Sequence, residues 1–223
     1  MPYLLFLPAN MPSLVLLQRD HEASPHLRSL IQATGRFEVL GLAHTVSDTR
    51  ALLKTCRPDI LMADLRVQDG DVTGLLKDLR QPARPQRPAR PHVLVSMVSH
   101  DDGLLLEALR AGADGYWVHS RSPELLIATL EQLARGESPM SPMIARQLLT
   151  HFDRHATPHG TAATGPFELT GTEREILSRL AQGYLIDEIA QQWHASVHTV
   201  ACGIRRVYHK LQFDLRASGL SLA

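Results

Sequence analysis

At 223 residues the chain exceeds the needs of one small domain and fits two compact units of roughly 100–150 and 60–70 residues. Its 44% hydrophobic and 21% charged residues exclude a disordered chain, and Lys plus Arg and Asp plus Glu each total 23, so no whole-chain field draws it to nucleic acid or membrane and any anion-binding face is local. Only Cys56 and Cys202 are present, which excludes a disulfide framework and suits a reducing cytoplasm.

The opening MPYLLFLPANMPSLVLL is apolar, but prolines interrupt it, no basic stretch leads it, and it falls far short of the ~20 residues a membrane helix needs. Neither a signal peptide nor a membrane partner is expected. From Leu14 to about Leu133 short apolar runs alternate with amphipathic stretches. LVLL (Leu14 to Leu17), FEVLGLA (Phe37 to Ala43), DILMA (Asp59 to Ala63), HVLVSMV (His92 to Val98) and DGYWV (Asp114 to Val118) read as strands. Helices are expected to begin near Ser24, Ser47, Val72, Asp101 and Ser122. Five βα units in series imply a doubly wound five-stranded parallel sheet, an α/β fold whose ligands sit at the carboxyl ends of its strands.

Between the third helix and the fourth strand, PARPQRPARP (Pro82 to Pro91) repeats proline every third residue, with Arg84, Arg87 and Arg90 in one phase. A polyproline helix has three residues per turn, so this is a stiff solvated loop whose guanidinium groups would share one side. After the fifth strand, SPELLIATLEQLARGE reads as a helix capped by Ser122 and stopped at Gly136, and SPMIARQLLTHF as another capped by Ser138 or Ser141. HATPHGTAATGP, His155 to Pro166, has no apolar period and reads as a linker. The boundaries expected are 13–137 for the α/β domain, 138–166 for the connection, and 167–223 for a C-terminal domain.

That C-terminal domain reads as four short helices. Thr170 or Thr172 caps the first, with Glu175 three residues after Thr172 as in a capping box; Ile176, Leu177 and Leu180 face inward, and Gly183 ends it. Ile186, Ile189, Ala190 and Trp193 supply the second helix's buried stripe, and His194 to Ser196 form a tight turn. The third carries Val197, Val200, Ile204, Val207 and Leu211 on one stripe, with His198, Thr199, Ala201, Cys202, Arg205, Arg206, His209 and Lys210 elsewhere. Two helices joined by a short turn, the second polar and basic, suit the major groove of double-stranded DNA.

The run LTGTEREILSRLAQGYLIDEIAQQWHASVHTVACGIRRVYHKL resembles the LuxR-type helix-turn-helix of NarL/FixJ response regulators, through its TxxExxIL opening, its EIA and its SVHTV. The resemblance makes Glu173 and Ile176 fold positions and places His198, Thr199, Arg205, Arg206 and Lys210 on the DNA-facing side. Where the family carries a basic residue and then small or polar ones, this sequence has Ala201, Cys202 and Gly203, so a phosphate contact is expected to be lost and the helix to be looser by ~1 kcal/mol at its glycine. Residues 167–223 carry six Lys or Arg against six Asp or Glu, a neutral balance for a DNA-binding domain.

The first domain resembles the receivers of the same family: PDILMADL places Asp64 where receivers carry the phosphoacceptor, LRAGADGYWVHS resembles ALRAGAxGYLLK, and DLRVQDGDVTG resembles DLxMPxxDG without its proline. By this resemblance the acidic pair after the first strand becomes Arg19 and Asp20, the lysine becomes His119, the hydroxyl maps to Ser96 or Ser99, and Tyr116 takes the place of the aromatic switch. Mg²⁺ needs a cluster of oxygen ligands, and a guanidinium about 4 Å away repels it by roughly several kcal/mol at an effective dielectric constant near 20. Arg19 is therefore expected to replace the metal and pair with Asp64 or Asp20. His21, His92, His100 and His119 have no metal-ligand spacing, and no cofactor is expected. Leu125, Leu126, Thr129, Leu130 and Leu133 offer an apolar stripe for dimerisation, part of which must face the domain's own sheet.

Together these features imply a homodimeric, DNA-binding transcription regulator of the cytoplasm, not an enzyme, controlled by a protein or small-molecule partner or by expression level in place of Mg²⁺-dependent phosphorylation. The alternative is a pseudo-receiver that titrates another regulator without reading DNA.

Overall fold

The computed structural model describes residues 11–70, 72–80, 90–97, 102–119, 122–155 and 168–219. Its first part alternates strands and helices: β1 (Ser13–Leu17), α1 (Ala23–Ala33), β2 (Glu38–Ala43), α2 (Val46–Thr55), β3 (Ile60–Asp64), α3 (Val72–Leu79), β4 (His92–Met97), α4 (Asp102–Ala111), β5 (Gly115–Val118) and α5 (Pro123–Ala134). Every pairing is parallel and the strand order is β2-β1-β3-β4-β5. The five strands lie where the apolar runs place them. Helices cover both faces of the sheet, so its central strands carry runs that are apolar on both faces: Leu14, Val15, Leu16 and Leu17 are all fully buried. Alternate residues feed two cores, with Leu14 and Leu16 against Leu126, Leu130 and Leu133 of α5, and Val15 and Leu17 against Leu75, Leu76 and Leu105. The α5 stripe is thus largely consumed by its own sheet, leaving Leu125 as its exposed large apolar residue.

The carboxyl-terminal part consists of α6 (Pro142–His155), α7 (Gly171–Gln182), α8 (Ile186–Gln192) and α9 (Val197–Gly219). The linker expected from His155 to Pro166 lies, beyond His155, outside the described residues. Thr170, not Thr172, caps α7: its hydroxyl accepts from Glu173 N–H, and the Glu173 carboxylate accepts from Thr170 N–H at 2.8 Å, so the box closes on Glu173 and not on Glu175. Gly183 ends α7 at φ +100°, a conformation that costs glycine nothing. The turn into α9 passes through His194 at φ +50°, and Ser196 opens α9 by accepting from Thr199 N–H. Of the four short helices expected from residue 169 onward, the described residues carry three. Nothing between Leu211 and Ala217 breaks a helix, so the expected fourth continues α9 to Gly219.

The two parts share one core. Ile144, Ala145, Leu148 and Phe152 of α6 join Ile176, Leu177 and Leu180 of α7, Val200, Ile204, Val207 and Leu211 of α9, and the residues beneath α3 and α4 in a single cluster. Helix α6 packs along α7, where Arg146 Nε donates to Ala181 O at 2.9 Å, and Arg110 of α4 donates to His151 Nδ1 at 2.7 Å. The connecting helix thus packs against both parts. Helix α9 lies against α4, and its Gln212 donates to Ala113 O ahead of β5.

Candidate functional site

Two candidate sites emerge, a pocket at the carboxyl ends of the strands and the outer surface of α9. The pocket is a cavity of about 350 Å³ bordered by Gln18, Arg19, Asp20, Asp64, Ser96 and His119, with Leu65, Met97 and Leu104 as apolar wall. Parallel strand ends project these groups toward one another, since Asp64 ends β3 and pairs in register with Ser96 of β4. Asp64 is held from three sides. Its Oδ1 accepts from the Ser96 hydroxyl in a short hydrogen bond and lies 3.2 Å from His119 Nε2, while its Oδ2 accepts from Arg19 N–H at 2.9 Å. Of the two candidate hydroxyls, Ser96 lies in the pocket, and Ser99 lies outside the described residues.

The expected ion pair of Arg19 with Asp64 or Asp20 does not form. The link to Asp64 runs through the Arg19 backbone, because the chain leaving β1 aims that N–H at the carboxylate while the side chain stays in solvent. Asp20 borders the pocket, with one carboxylate oxygen engaged at a helix start. Its Oδ1 caps the start of α1, accepting from Glu22 N–H at 2.8 Å and Ala23 N–H at 3.0 Å, and the Ala23 and Glu22 bonds hold its carboxyl below the usual carboxylate range. Asp69, in the segment that resembles DLxMPxxDG, similarly caps α2 by accepting from Val46 and Ser47 N–H.

An octahedral Mg²⁺ does not fit this donor set. One carboxylate oxygen of Asp64 accepts from Ser96 and lies beside His119, the other accepts from Arg19 N–H, Asp20 lends Oδ1 to a helix end, and the Arg19 side chain offers no oxygen ligand. Among the described residues no three His, Cys, Asp or Glu side chains converge as a metal site. His21 stacks on His44 with ring centroids 3.7 Å apart, and His44 Nδ1 lies 2.8 Å from Gln18 O. His92 sits far from the pocket at the opposite end of β4; His100 is outside the described residues.

Tyr116 is buried in β5, close enough to Tyr208 of α9 to influence its phenol. Arg90 does not join an arginine ledge. It forms a bidentate pair with buried Asp114, at 2.7 and 3.1 Å, and donates to Gly112 O; Arg84 and Arg87 lie outside the described residues. Asp114 also accepts from Val93 N–H at 2.9 Å, so Arg90 is a fixture of the sheet edge.

On α9 the structure separates the expected DNA-facing residues. His198, Thr199 and Arg206 are exposed. Lys210 is not: its side chain is only 18% exposed, and its ammonium bonds Glu173 Oε2 at 2.6 Å and Glu168 O at 2.7 Å. Burial pushes the Glu173 carboxyl up, but Lys210 and the Thr170 bonds outweigh it and leave it below its ordinary range. Arg206 Nε stands 3.7 Å from the same carboxylate, so one buried acid draws on two of the three cations expected to face DNA. The third, Arg205, reaches Gly136 O at 3.4 Å, while Tyr208 donates to Pro139 O and Gln212 to Ala113 O, each at 3.0 Å. The α/β domain thus covers one side of α9.

Ala201 is buried, so its departure from the family pattern does not leave an open phosphate position in this arrangement. Gly203 is not a loose point either. A Cβ there would meet Ile176 Cδ1 at 2.3 Å, so glycine lets α9 seat on α7. His198 Nε2 and Cys202 Sγ lie 3.4 Å apart on the exposed side. Sequence periodicity missed the interdomain use of Arg205, Tyr208 and Gln212, because it separates a core stripe from the rest and cannot say what covers the rest.

Residues 168–219 match the family described as "Bacterial regulatory proteins, luxR family". Along almost its whole length the chain is similar to the nitrate/nitrite response regulator NarL of Escherichia coli K12, 28% identical over 213 residues and covering 92% of each chain. It is similar to the DNA-binding transcriptional activator DevR/DosR of Mycobacterium tuberculosis, 29% identical over 212 residues, covering 94% of this chain and 93% of that one. In fold it is similar to RcsB in a structure of two RcsB dimers bound to two parallel DNAs, with a TM-score of 0.54, 17% identity, and 93% and 98% of the two chains covered.

Proposed function

We propose that this chain, a NarL-type response regulator in plan with a receiver-like domain followed by a LuxR-family helix-turn-helix, binds DNA as a dimer to regulate transcription without conventional Mg²⁺-dependent phosphorylation of Asp64. The observation that carries the second half is the occupancy of Asp64. Phosphoryl transfer to a carboxylate needs a free oxygen to attack, a metal to gather the phosphoryl oxygens and a fixed cation beside them. Here Ser96, His119 and the Arg19 N–H already hold both oxygens, and the acids and lysine that would supply the rest are Arg19, a helix-capping Asp20 and His119. Such a bonded carboxylate supports the sheet end as a structural post. Control then falls to what changes the contact between the domains: a protein or small-molecule partner, or concentration.

DNA contact rests on His198, Thr199 and Arg206, which are exposed, and on Arg205 once it leaves Gly136 O. Lys210 supports the reading only through Glu173, by fixing α9 on α7. A neutral domain with few free cations binds weakly as a single head, and a dimer on two half-sites about one helical turn apart compensates by joining two of them. The test is a salt-dependent titration of the full chain with genomic DNA fragments, alongside acetyl phosphate and Mg²⁺. Expected are a negative salt slope that flattens by about 1 in Arg206→Ala if it grips phosphate, or a loss of about 1–3 kcal/mol with relaxed preference if it reads a base. Stoichiometric, acid-labile modification of Asp64 would overturn the phosphate-independent part.

One observation favours a second reading. Exposed Asp187 and Glu188 open α8 after exposed Tyr184 and Leu185, an acidic and apolar rim that repels phosphate and suits a protein partner. A salt slope near zero, unchanged in Arg205→Ala and Arg206→Ala, would favour this interaction module.

A further inference from the structure

Helix α9 carries two metal-ligating side chains one turn apart, His198 and Cys202, which neither the Asp64 pocket nor the interdomain hydrogen bonds use. Residues at i and i+4 share a helix face, and His198 Nε2 lies 3.4 Å from Cys202 Sγ on the exposed side. Among the described residues neither side chain has another hydrogen-bond partner. Val200, Ala201, Gly203 and Ile204 are buried around them and Gly203 seats α9 on α7, so the turn that presents the pair is fixed. The neighbouring guanidinium groups are drawn elsewhere, Arg206 to Glu173 and Arg205 to Gly136 O, and Cys202 is a free thiol. A thiolate sulfur and an imidazole nitrogen on one Zn²⁺, bonded at about 2.3 and about 2.0–2.1 Å, stand roughly 3.6 Å apart at the tetrahedral angle and roughly 4.4 Å apart in a line. The observed 3.4 Å matches the tetrahedral bite and is too short for a linear, two-coordinate ion.

We propose that His198 and Cys202 are half of a tetrahedral site for a thiophilic divalent cation of the Zn²⁺ class, and that the same pair from a second copy of this chain completes it. Thiolate and imidazole are donors such an ion prefers, and two of each make a closed four-coordinate set. One chain supplies only two donors, so a single copy holds the ion weakly and the second copy makes the site. The imidazole binds through its Nε2 lone pair and the thiol binds as thiolate, so each chain releases its Sγ proton to solvent as the metal–sulfur bond forms. The ion then stands where the two atoms now share that proton, with little movement of either side chain. Two copies joined in this way face each other across the exposed side of α9, so the bridged form cannot lay that helix in a DNA groove. That consequence rests on α9 reading DNA; the site itself does not.

The test titrates the reduced full chain with Co²⁺, whose tetrahedral thiolate complexes absorb in the near ultraviolet and the visible. Expected are a thiolate-to-metal band that saturates at one Co²⁺ per two chains and its loss when Zn²⁺ displaces the probe. Cys56→Ser should keep the spectrum, Cys202→Ser should abolish it, and His198→Ala should lose the tetrahedral visible bands at the same Co²⁺ concentration, with far-ultraviolet circular dichroism checking that each variant is folded. No thiolate band, a band that survives Cys202→Ser, or saturation at one Co²⁺ per chain overturns the proposal. Genomic DNA fragments titrated with and without Zn²⁺ separate the two ideas. Zn²⁺ releasing DNA from the wild type but not from Cys202→Ser upholds both, and DNA retained by the metal-loaded wild type overturns the bridge between copies. The Co²⁺ spectrum without DNA binding in metal-free buffer upholds the site and sinks the DNA reading, whereas DNA binding without the spectrum upholds the DNA reading and sinks the site.

Discussion

Replacing Gly203 with alanine sets helix propensity against packing, and the structure decides which wins. Alanine in a helix interior gains about 1 kcal/mol over glycine. A Cβ at this position stands 2.3 Å from Ile176 Cδ1, well inside an ordinary carbon contact of about 3.5–4.0 Å. Ile176 is 1% exposed, so its terminal methyl must swing into packed neighbours or α9 must move off α7. Overpacking of this kind costs about 1–3 kcal/mol, so Gly203→Ala is expected to destabilise the chain by about 1 kcal/mol net. Ile176→Val removes the one atom in the way, at about 0.5–1.5 kcal/mol by itself. In that background Gly203→Ala should become stabilising by about 1 kcal/mol, giving a coupling of about 2 kcal/mol between the sites. Urea unfolding of the four chains, followed by far-ultraviolet circular dichroism, measures this. Stabilisation by Gly203→Ala in the wild-type background, or additivity of the two changes, would show that α9 does not seat on α7 as described.

Asp114→Ala strands the Arg90 guanidinium at the domain edge; with the Asp114 side chain 5% exposed, the loss expected in urea unfolding is about 3–5 kcal/mol, and a loss under about 1 kcal/mol would refute the pair's structural role. Arg19→Asp together with His119→Lys replaces a repelling charge with an oxygen ligand and frees one contact on Asp64, so calorimetry should detect tighter Mg²⁺ binding in the double variant than in the wild type. No gain in the double variant would mean that the Ser96 and Arg19 backbone bonds, not charge, close the pocket to metal.

Sequence alone determined the five βα units, the parallel sheet and the helix-turn-helix, though not the merging of the last two expected helices into α9, because apolar strand runs and inward stripes at helical spacing mark what must be buried. The resemblance to receivers brought Asp64, His119 and either Ser96 or Ser99 toward one pocket, at the strand ends where a parallel sheet places its ligands. Tertiary structure decided everything that depends on which partner a polar group finds. Arg19 meets Asp64 through its backbone and not its guanidinium, Asp20 caps a helix, Lys210 turns inward to Glu173, and Arg90 locks Asp114. Long polar side chains have many rotamers of similar energy, so the nearest opposite charge in space, often far away in sequence, selects among them. The cover over Arg205, Tyr208 and Gln212 belongs to the same class. A helix carries its core stripe in its own periodicity, but only the packing of one domain on another says what lies across from the remaining faces.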